Sequence, residues 1–240
     1  MLLDTDFMIK TFWACVKAIP VTLEITVVSL LLACLPAFGI AVSRLKSQKH
    51  RTAGGTIGAV YVSFMRGTPI LLQILIVYSL FPSLLNSLLK GLHSEINIFD
   101  VNPIVYAFIV FGLNTTATLS EVFRSALLSV DKGQYEAALC AGLSPFQAYR
   151  RIIIPQAMVS AIPNLCNLCV TLIKNSSLAF LMTVKDITAV AKIQASYGFN
   201  FIEAYLDIFV IYIIVCSVVQ VLFNLTEKKL TRKGVKNAGN

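Results

Sequence analysis

Charged residues are scarce in this sequence of 240 residues: Asp, Glu, Lys and Arg together make up 13% of it, against about a quarter in ordinary soluble domains. Hydrophobic residues make up 57%, and the mean hydropathy is +0.77. This composition excludes an ordinary soluble domain and indicates an integral membrane protein. Apolar segments of about 20 residues and their connections take up nearly all of the length, which leaves no room for a separate catalytic domain.

The sequence also lacks the residue patterns of common chemical sites. It contains no Gly-Lys dipeptide, and therefore no phosphate-binding P-loop. The six cysteines are scattered through apolar sequence. A zinc site requires a second Cys or His pair, and none lies near Cys166-x-x-Cys169. His50 and His93 lie in connections without a metal-binding or nucleophilic arrangement. We expect no metal, no cofactor and no covalent catalysis in this chain.

Five membrane-spanning helices are predicted from the apolar segments, with boundaries of roughly 19–43, 57–84, 103–127, 152–174 and 203–225. The second contains Arg66-Gly67-Thr68-Pro69. Pro69 removes a helical hydrogen bond and disfavours the helical conformation at Thr68, so we expect a break there. The predicted fold is an all-α integral membrane protein, one domain over residues 1–240 with its core at 19–225. The path of residues 175–202 is left open.

The basic residues concentrate beside two of the predicted helices rather than in one patch for nucleic acid. They are Arg44, Lys46, Lys49 and Arg51 in the first connection, and Lys228, Lys229, Arg232, Lys233 and Lys236 in the tail. Cytoplasmic loops carry an excess of Lys and Arg. This rule predicts an external N-terminus, with 44–56, 128–151 and the C-terminal tail in the cytoplasm.

The run EAALCAGLSPFQAYRRIIIP, which begins at Glu136, has the local signals of a surface helical hairpin. Gly142 suits the left-handed end of a first helix over 134–141, Ser144 suits an N-cap, and Pro145 suits the first position of the next helix. The first helix carries a single acid among small residues, so a partner can approach it closely. The pattern predicts a docking element.

The spacing E-A-A, three residues, G, nine residues, I-x-I-P resembles the EAA loop of permease subunits of binding-protein-dependent ABC importers, with Ile154 where that motif usually has Leu. The stretches FMRGTPILLQ (64–73), LNTTATLSEVFRSALLSVDKGQYEAA (113–138) and LIKNSSLAF (172–180) are similar to the polar amino acid branch of that family, which includes histidine, glutamine, arginine and cystine types. Together these stretches span most of the chain.

The resemblance implies a role for the EAA loop, residues 131–155, in docking to a cytoplasmic ATPase subunit. The residues it assigns to ATPase coupling are Glu136, Ala137, Ala138 and Gly142. ATP is then bound and hydrolysed by the partner, and this chain is not an enzyme. The implied partners are an ATPase dimer, an extracellular or periplasmic substrate-binding protein and a second permease copy or homologue, in the bacterial inner membrane.

Polar residues inside the predicted helices are candidates for the substrate path, because a translocated amino acid needs hydroxyl, amide and acidic groups to replace water. The candidates are Gln73, Asn114, Thr115, Thr118 and Glu121. An ionisable group such as Glu121 within a membrane segment is costly unless it is paired or faces water. The alternatives are hydrogen bonds between helices for the amides and hydroxyls, and a salt bridge from Glu121 to Arg124 or Arg66.

Lys174-Asn175-Ser176-Ser177 resembles a signature of the same branch, which adds Asn175 and Ser176 to the candidate substrate path. The alternative is that Lys174 reaches the membrane interface while Asn175 and Ser176 cap the next turn.

The predicted function is a membrane-spanning permease subunit that translocates polar amino acids by alternating access. SVDKGQYEAA and the Phe201, Glu203, Ala204, Tyr205 element are most similar to cystine-type permeases, while histidine, glutamine, arginine and opine-like compounds stay open. Two other functions are kept: an ATP-independent carrier or channel in which Glu121 binds a proton or cation, and a membrane scaffold.

Overall fold

A computed structural model describes residues 3–49, 51–91 and 98–237 of the chain. His50, His93 and the side chains of Lys49, Arg232, Lys233 and Lys236 lie outside the described part. The α-helices are α1 (Thr5–Lys49), α2 (Ala53–Gly67), α3 (Ile70–Gly91), α4 (Pro103–Ser129), α5 (Lys132–Cys140), α6 (Pro145–Ala148), α7 (Ile154–Ser176), α8 (Ile187–Gly198) and α9 (Phe201–Asn237). Short 3-10 turns at Ile98–Asp100 and Ser177–Met182 and a π turn at Tyr149–Ile153 complete the described structure.

Within the described residues, 5 helical segments are long and apolar enough to cross a membrane. They are Thr5–Ser47, Ile70–Gly91, Pro103–Ser129, Pro145–Met182 and Phe201–Lys229. The all-helical fold with five spans is therefore confirmed. The first helix begins well before the predicted residue 19, because Phe7, Phe12 and Val16 pack against the buried cluster that α1 forms with α8 and α9.

The predicted break in the second segment is present between α2 and α3. Thr68 takes an extended conformation, with φ −111° and ψ 140°, and α3 starts immediately after Pro69. The side-chain nitrogen of Gln73 donates to the carbonyl of Met65 at 2.9 Å and to that of Thr68 at 3.2 Å. A side chain thus satisfies backbone acceptors that the break exposes, as an apolar environment requires.

Small residues allow the central helices to approach closely. Ala33 and Ala37 of α1 are fully buried in one cluster with Leu119 of α4 and Ala161 of α7. Small side chains at such contacts let helix backbones pack tightly where lipid offers no hydrophobic drive. Helix α4 is therefore held between α1 and α7 at the centre of the bundle.

Residues 175–202, whose path the sequence left open, form a compact link between α7 and α9. Thr183 is left-handed, with φ 58°, and the Asp186 carboxylate accepts from the backbone N–H of Ala189 at 2.8 Å to begin α8. Ala191 and Ala195 of α8 are fully buried in the cluster that α8 shares with α1 and α9. The link therefore packs on the bundle.

The turn between α1 and α2 offers a test of this packing. A Cβ at Gly55 would lie 2.2 Å from Cβ of Ser47 and 2.9 Å from the backbone oxygen of Ser43, whereas a Cβ at Gly39 meets nothing within 4 Å. We expect Gly55→Ala to lower the stability of the purified protein by about 1–3 kcal/mol, as overpacking does. Gly39→Ala is the control, since alanine favours helix and has room there. Equal thermal unfolding midpoints of the Gly55→Ala and Gly39→Ala variants in detergent would contradict the prediction.

Candidate functional site

The helical hairpin formed by α5 and α6 is built as its sequence predicts. Gly142 is left-handed, with φ 82°. Ser144 and Gln147 form a reciprocal capping box, and Pro145 occupies the first turn of α6. Helix α5 runs over Lys132–Cys140 rather than 134–141, because the Asp131 side chain caps it by accepting from the Gly133 N–H at 2.6 Å. These local hydrogen bonds set the turn without help from the rest of the bundle.

The hairpin presents a mixed acidic and apolar surface. Glu136 and Ala137 are exposed, but Ala138 is only 3% exposed and lies inside the hairpin, so the expected direct contact of Ala138 with a partner does not fit this structure. Phe146 is 72% exposed. Phe146 is not among the predicted coupling residues, although an aromatic residue beside the N-terminal Pro of a polar hairpin was a usable signal. Exposed aromatic residues of this kind are frequent anchors in protein interfaces.

Side-chain contacts tie the hairpin to the start of α7. The rings of Tyr135 and Tyr149 lie 5.4 Å apart, and the Gln156 side chain donates to that of Gln134 at 3.4 Å. The π turn Tyr149–Ile153 leads directly into α7, where Pro155 lacks the N–H that a regular helix would use. The hairpin is therefore in direct contact with the start of a membrane-spanning helix.

A cavity of about 220 Å³ lies between α4 and α7, and most of the residues that line it are Asn or Thr. It is lined by Asn114, Thr115, Thr118 and Val122 of α4 and by Asn164, Asn167, Leu168, Thr171, Leu172 and Asn175 of α7. Of the candidate substrate-path residues, the structure brings together Asn114, Thr115, Thr118 and Asn175.

The contribution of α7 to this cavity was largely missed. Asn164, Asn167 and Thr171 recur at helical spacing within an apolar segment, a pattern that places them on one face. This spacing was a usable signal in the sequence. All three are exposed in this chain.

Gln73 lies outside the cavity and is hydrogen-bonded to one of the residues that line it. It is 9% exposed and does not line the cavity, but its side-chain oxygen accepts from the Asn114 side-chain nitrogen at 3.0 Å. Because Gln73 also donates to the carbonyls at the break between α2 and α3, one side chain links that break to a cavity residue.

Glu121 is in an ion-pair cluster and does not line the cavity. Its carboxylate pairs with the guanidinium of Arg124 at 2.8 Å and with that of Arg44 on α1. The salt-bridge alternative is therefore correct for Arg124, whereas Arg66 as the partner is wrong. Helix α1 continues beyond residue 43, where it was predicted to end. Arg44 is therefore part of this helix and lies beside α4.

Ser176 is also placed away from the cavity. It is fully buried, and its hydroxyl donates to the backbone oxygen of Ile173 in the preceding turn at 2.7 Å. Its role in this structure is local hydrogen bonding, which differs from the expected contact with a substrate. Neighbouring Asn175 faces the cavity because it is one helical position further round.

The side chains that the structure describes contain no group of three or more His, Cys, Asp and Glu residues arranged to hold a metal ion.

Comparison with known proteins gives a consistent assignment. Residues 37–232 match the family described as "Binding-protein-dependent transport system inner membrane component". The chain is 33% identical to "Probable amino-acid permease protein YxeN" of Bacillus subtilis, over 96% of this chain and 97% of that protein. It is also 33% identical to "L-cystine transport system permease protein TcyL" of the same organism, over 89% of this chain and 86% of the relative.

A solved structure shares the fold over its whole length. The chain matches "Crystal structure of an amino acid ABC transporter with histidines" with a TM-score of 0.79 and 26% identity, covering 95% of this chain and 100% of the other. The match extends the agreement from sequence to the arrangement of helices.

Proposed function

The chain belongs to the family of inner membrane components of binding-protein-dependent transport systems, and from this premise we propose that it carries polar amino acids across the membrane through the cavity between α4 and α7. The observation that carries the proposal is the set of Asn and Thr residues that line that cavity within membrane-spanning helices. Polar groups at this depth are costly unless they serve a path or a partner. A related protein is named for L-cystine transport, and cystine is accordingly one candidate substrate.

The cavity residues have suitable groups for an amino acid in transit. The carboxamides of Asn164, Asn167 and Asn175 offer both donors and acceptors, Asn114 offers its side-chain oxygen as an acceptor, and three threonine hydroxyls offer more: Thr115, Thr118 and Thr171. Such groups replace the water around an ammonium and a carboxylate, but they bind these ions less tightly than a fixed opposite charge would. Transient binding is what a path requires, because a substrate that is held tightly is not released.

A second permease subunit is needed to complete this path. The exposed polar side chains of α7 recur along one face of a membrane-spanning helix: Gln156, Ser160, Asn164, Asn167 and Thr171. A face of this polarity is unfavourable against lipid, so it is turned towards protein or a water-filled space. We assign it to contact with a second copy or a homologue, with the cavity between the two subunits.

The hairpin is the proposed contact with the ATPase, which supplies the energy that this chain does not. Glu136, Ala137 and Phe146 form the docking surface, Gly142 shapes the turn, and Ala138 holds the hairpin together from inside. Closure of an ATPase dimer on ATP would displace the hairpin and, through α7, one wall of the cavity. Access to the cavity then alternates between the two sides of the membrane.

We place the hairpin in the cytoplasm and the N-terminus outside. The Arg44–Glu121 pair joins the end of α1 to the end of α4 that precedes the hairpin, so the connection between α1 and α2 lies at the same end of the bundle as the hairpin. That end carries Lys46, Arg51, Arg150 and Arg151 as well. The excess of basic residues there supports the orientation, and the substrate-binding protein then meets the opposite end.

Uptake by the reconstituted transporter tests the proposal. Proteoliposomes containing this chain, its co-purifying ATPase and a candidate binding protein are expected to accumulate labelled cystine or another polar amino acid only when ATP is supplied on the ATPase side. Uptake without ATP would instead support a carrier or channel. Stable assembly with the ATPase but no uptake of any amino acid in the panel would support a scaffold.

A further inference from the structure

We propose that the cavity between α4 and α7 selects amino acids whose side chains carry no net charge; the inference rests on the proposed function. Seven of the ten lining residues are Asn or Thr, and the other three are Val122, Leu168 and Leu172. None of the ten is ionisable. A substrate in this cavity therefore meets dipoles and apolar surface but no fixed charge from this chain.

The charged groups nearest in sequence to the lining residues do not line the cavity. Glu121 lies one turn beyond Thr118, and its carboxylate is shared by Arg44 and Arg124. Lys174 precedes the lining residue Asn175 but is not among the residues that line the cavity. Glu121 is therefore not available as a partner for a charged substrate side chain without rearrangement of the bundle.

This lining suits a zwitterion better than an amino acid with an extra charge. The ammonium and carboxylate of a neutral amino acid balance each other and are close enough to share the amide and hydroxyl groups of the walls. An additional guanidinium, ammonium or carboxylate would be removed from water with no opposite charge to offset the desolvation. Glutamine and cystine fit this requirement at neutral pH, whereas arginine, lysine and glutamate do not.

Asn114 is a specificity-determining residue because its carboxamide has a fixed orientation. Its side-chain nitrogen donates to the oxygen of Gln73 at 3.0 Å and to the backbone oxygen of Met65 at 3.4 Å. An amide nitrogen has two hydrogens, so both are used. Only the side-chain oxygen of Asn114 is left for a ligand, which makes this point of the cavity an acceptor for the substrate ammonium. Gln73 acts as a positioning residue through Asn114.

Direct binding to the complex without the binding protein tests the selectivity of the membrane cavity separately from that of the binding protein. Labelled glutamine, cystine, arginine and glutamate are added to the purified permease–ATPase complex in lipid nanodiscs, and equilibrium binding is measured. Glutamine or cystine is expected to bind at least about tenfold more tightly than arginine and glutamate, equivalent to about 1.4 kcal/mol. Equal or tighter binding of arginine or glutamate would overturn the inference.

An anion introduced into the cavity is expected to change the preference of the complex from glutamine towards arginine. Asn167→Asp keeps the size of an exposed side chain on the α7 wall of the cavity and adds an anion, so arginine affinity should rise about tenfold or more relative to glutamine. Asn224→Asp, on the exposed side of α9, is the control for added charge and should leave the ratio unchanged. If Asn167→Asp does not assemble, Asn164→Asp on the same wall replaces it. An unchanged ratio in an assembled cavity variant counts against the inference.

Uptake by the complete transporter separates failure of this inference from failure of the proposed function. ATP-dependent uptake of amino acids with no binding of any of the four ligands to the complex would remove the cavity as the selective site and leave the importer intact. Absence of ATP-dependent amino acid uptake would reject the proposed function itself.

Discussion

Reversal of the charge at Glu136, by Glu136→Arg, is expected to reduce ATP-driven uptake by at least about 100-fold while the subunit still folds. The side chain is exposed, and no hydrogen bond or ion pair within the described part of the chain involves it, so its loss leaves the hairpin caps at Asp131, Gly142 and Ser144 unchanged. We expect this acid to contact basic residues on the ATPase. An arginine at this position would lose that attraction and add repulsion, and the two effects together cost several kcal/mol at an interface.

The measurement pairs uptake in proteoliposomes with recovery of the ATPase on the purified permease. Lys90→Glu, a charge reversal at an exposed position at the end of α3, is the matched control and should retain both properties. Normal uptake in Glu136→Arg with a normal thermal midpoint would mean that this acid is not in the coupling contact. A loss of uptake together with a lowered thermal midpoint in Glu136→Arg would assign this acid a structural role instead.

Removal of the Glu121 charge, by Glu121→Gln, is expected to destabilise the bundle by about 2 kcal/mol. Glu121 is the shared partner of Arg44 and Arg124, and its neutralisation leaves two cations near each other between the adjoining ends of α1 and α4. Fully buried pairs cost roughly 3–5 kcal/mol when one partner is removed. The smaller value is expected here because the three side chains are 18–25% exposed.

A double-mutant cycle with Arg44→Gln measures the link between α1 and α4. The double variant should be more stable than the sum of the two single effects predicts, because only Arg124 then lacks a partner, whereas Glu121→Gln alone leaves two unpaired cations beside each other. Thermal unfolding in detergent gives the four values. Strict additivity would show that the two side chains do not interact, and Lys46→Gln, an exposed neighbour on α1, serves as the control for charge removal at that end.

The hairpin shows how much short-range chemistry reveals in advance. Gly142, Ser144 and Pro145 each specify a backbone conformation within a few residues, and the structure has each in its predicted state. The same holds for the break at Thr68 and Pro69, which follows from a missing N–H. In both places the determining interactions are local, so the tertiary structure adds only the burial of Ala138 and the exposure of Phe146.

The partners of polar side chains within the helices were harder to predict. Glu121 and Arg124 are one turn apart, and their pairing was among the alternatives, but Arg44 comes from a distant part of the sequence. Asn114 and Gln73 were both selected as substrate-path residues, yet one lines the cavity and the other holds it in position. Such differences depend on how helices rotate about their axes, which no single helix specifies.

By itself the sequence determined that this protein is a helical membrane protein with a surface helical hairpin, since hydropathy, helix caps and proline breaks act over one helix or one turn. The tertiary structure decided which polar residues form the cavity, which are consumed in ion pairs and which face of α7 remains uncovered. The reason is physical: in lipid every apolar side chain is equally well solvated, so helix orientation is set by close packing of small residues and by pairing of polar groups across helices.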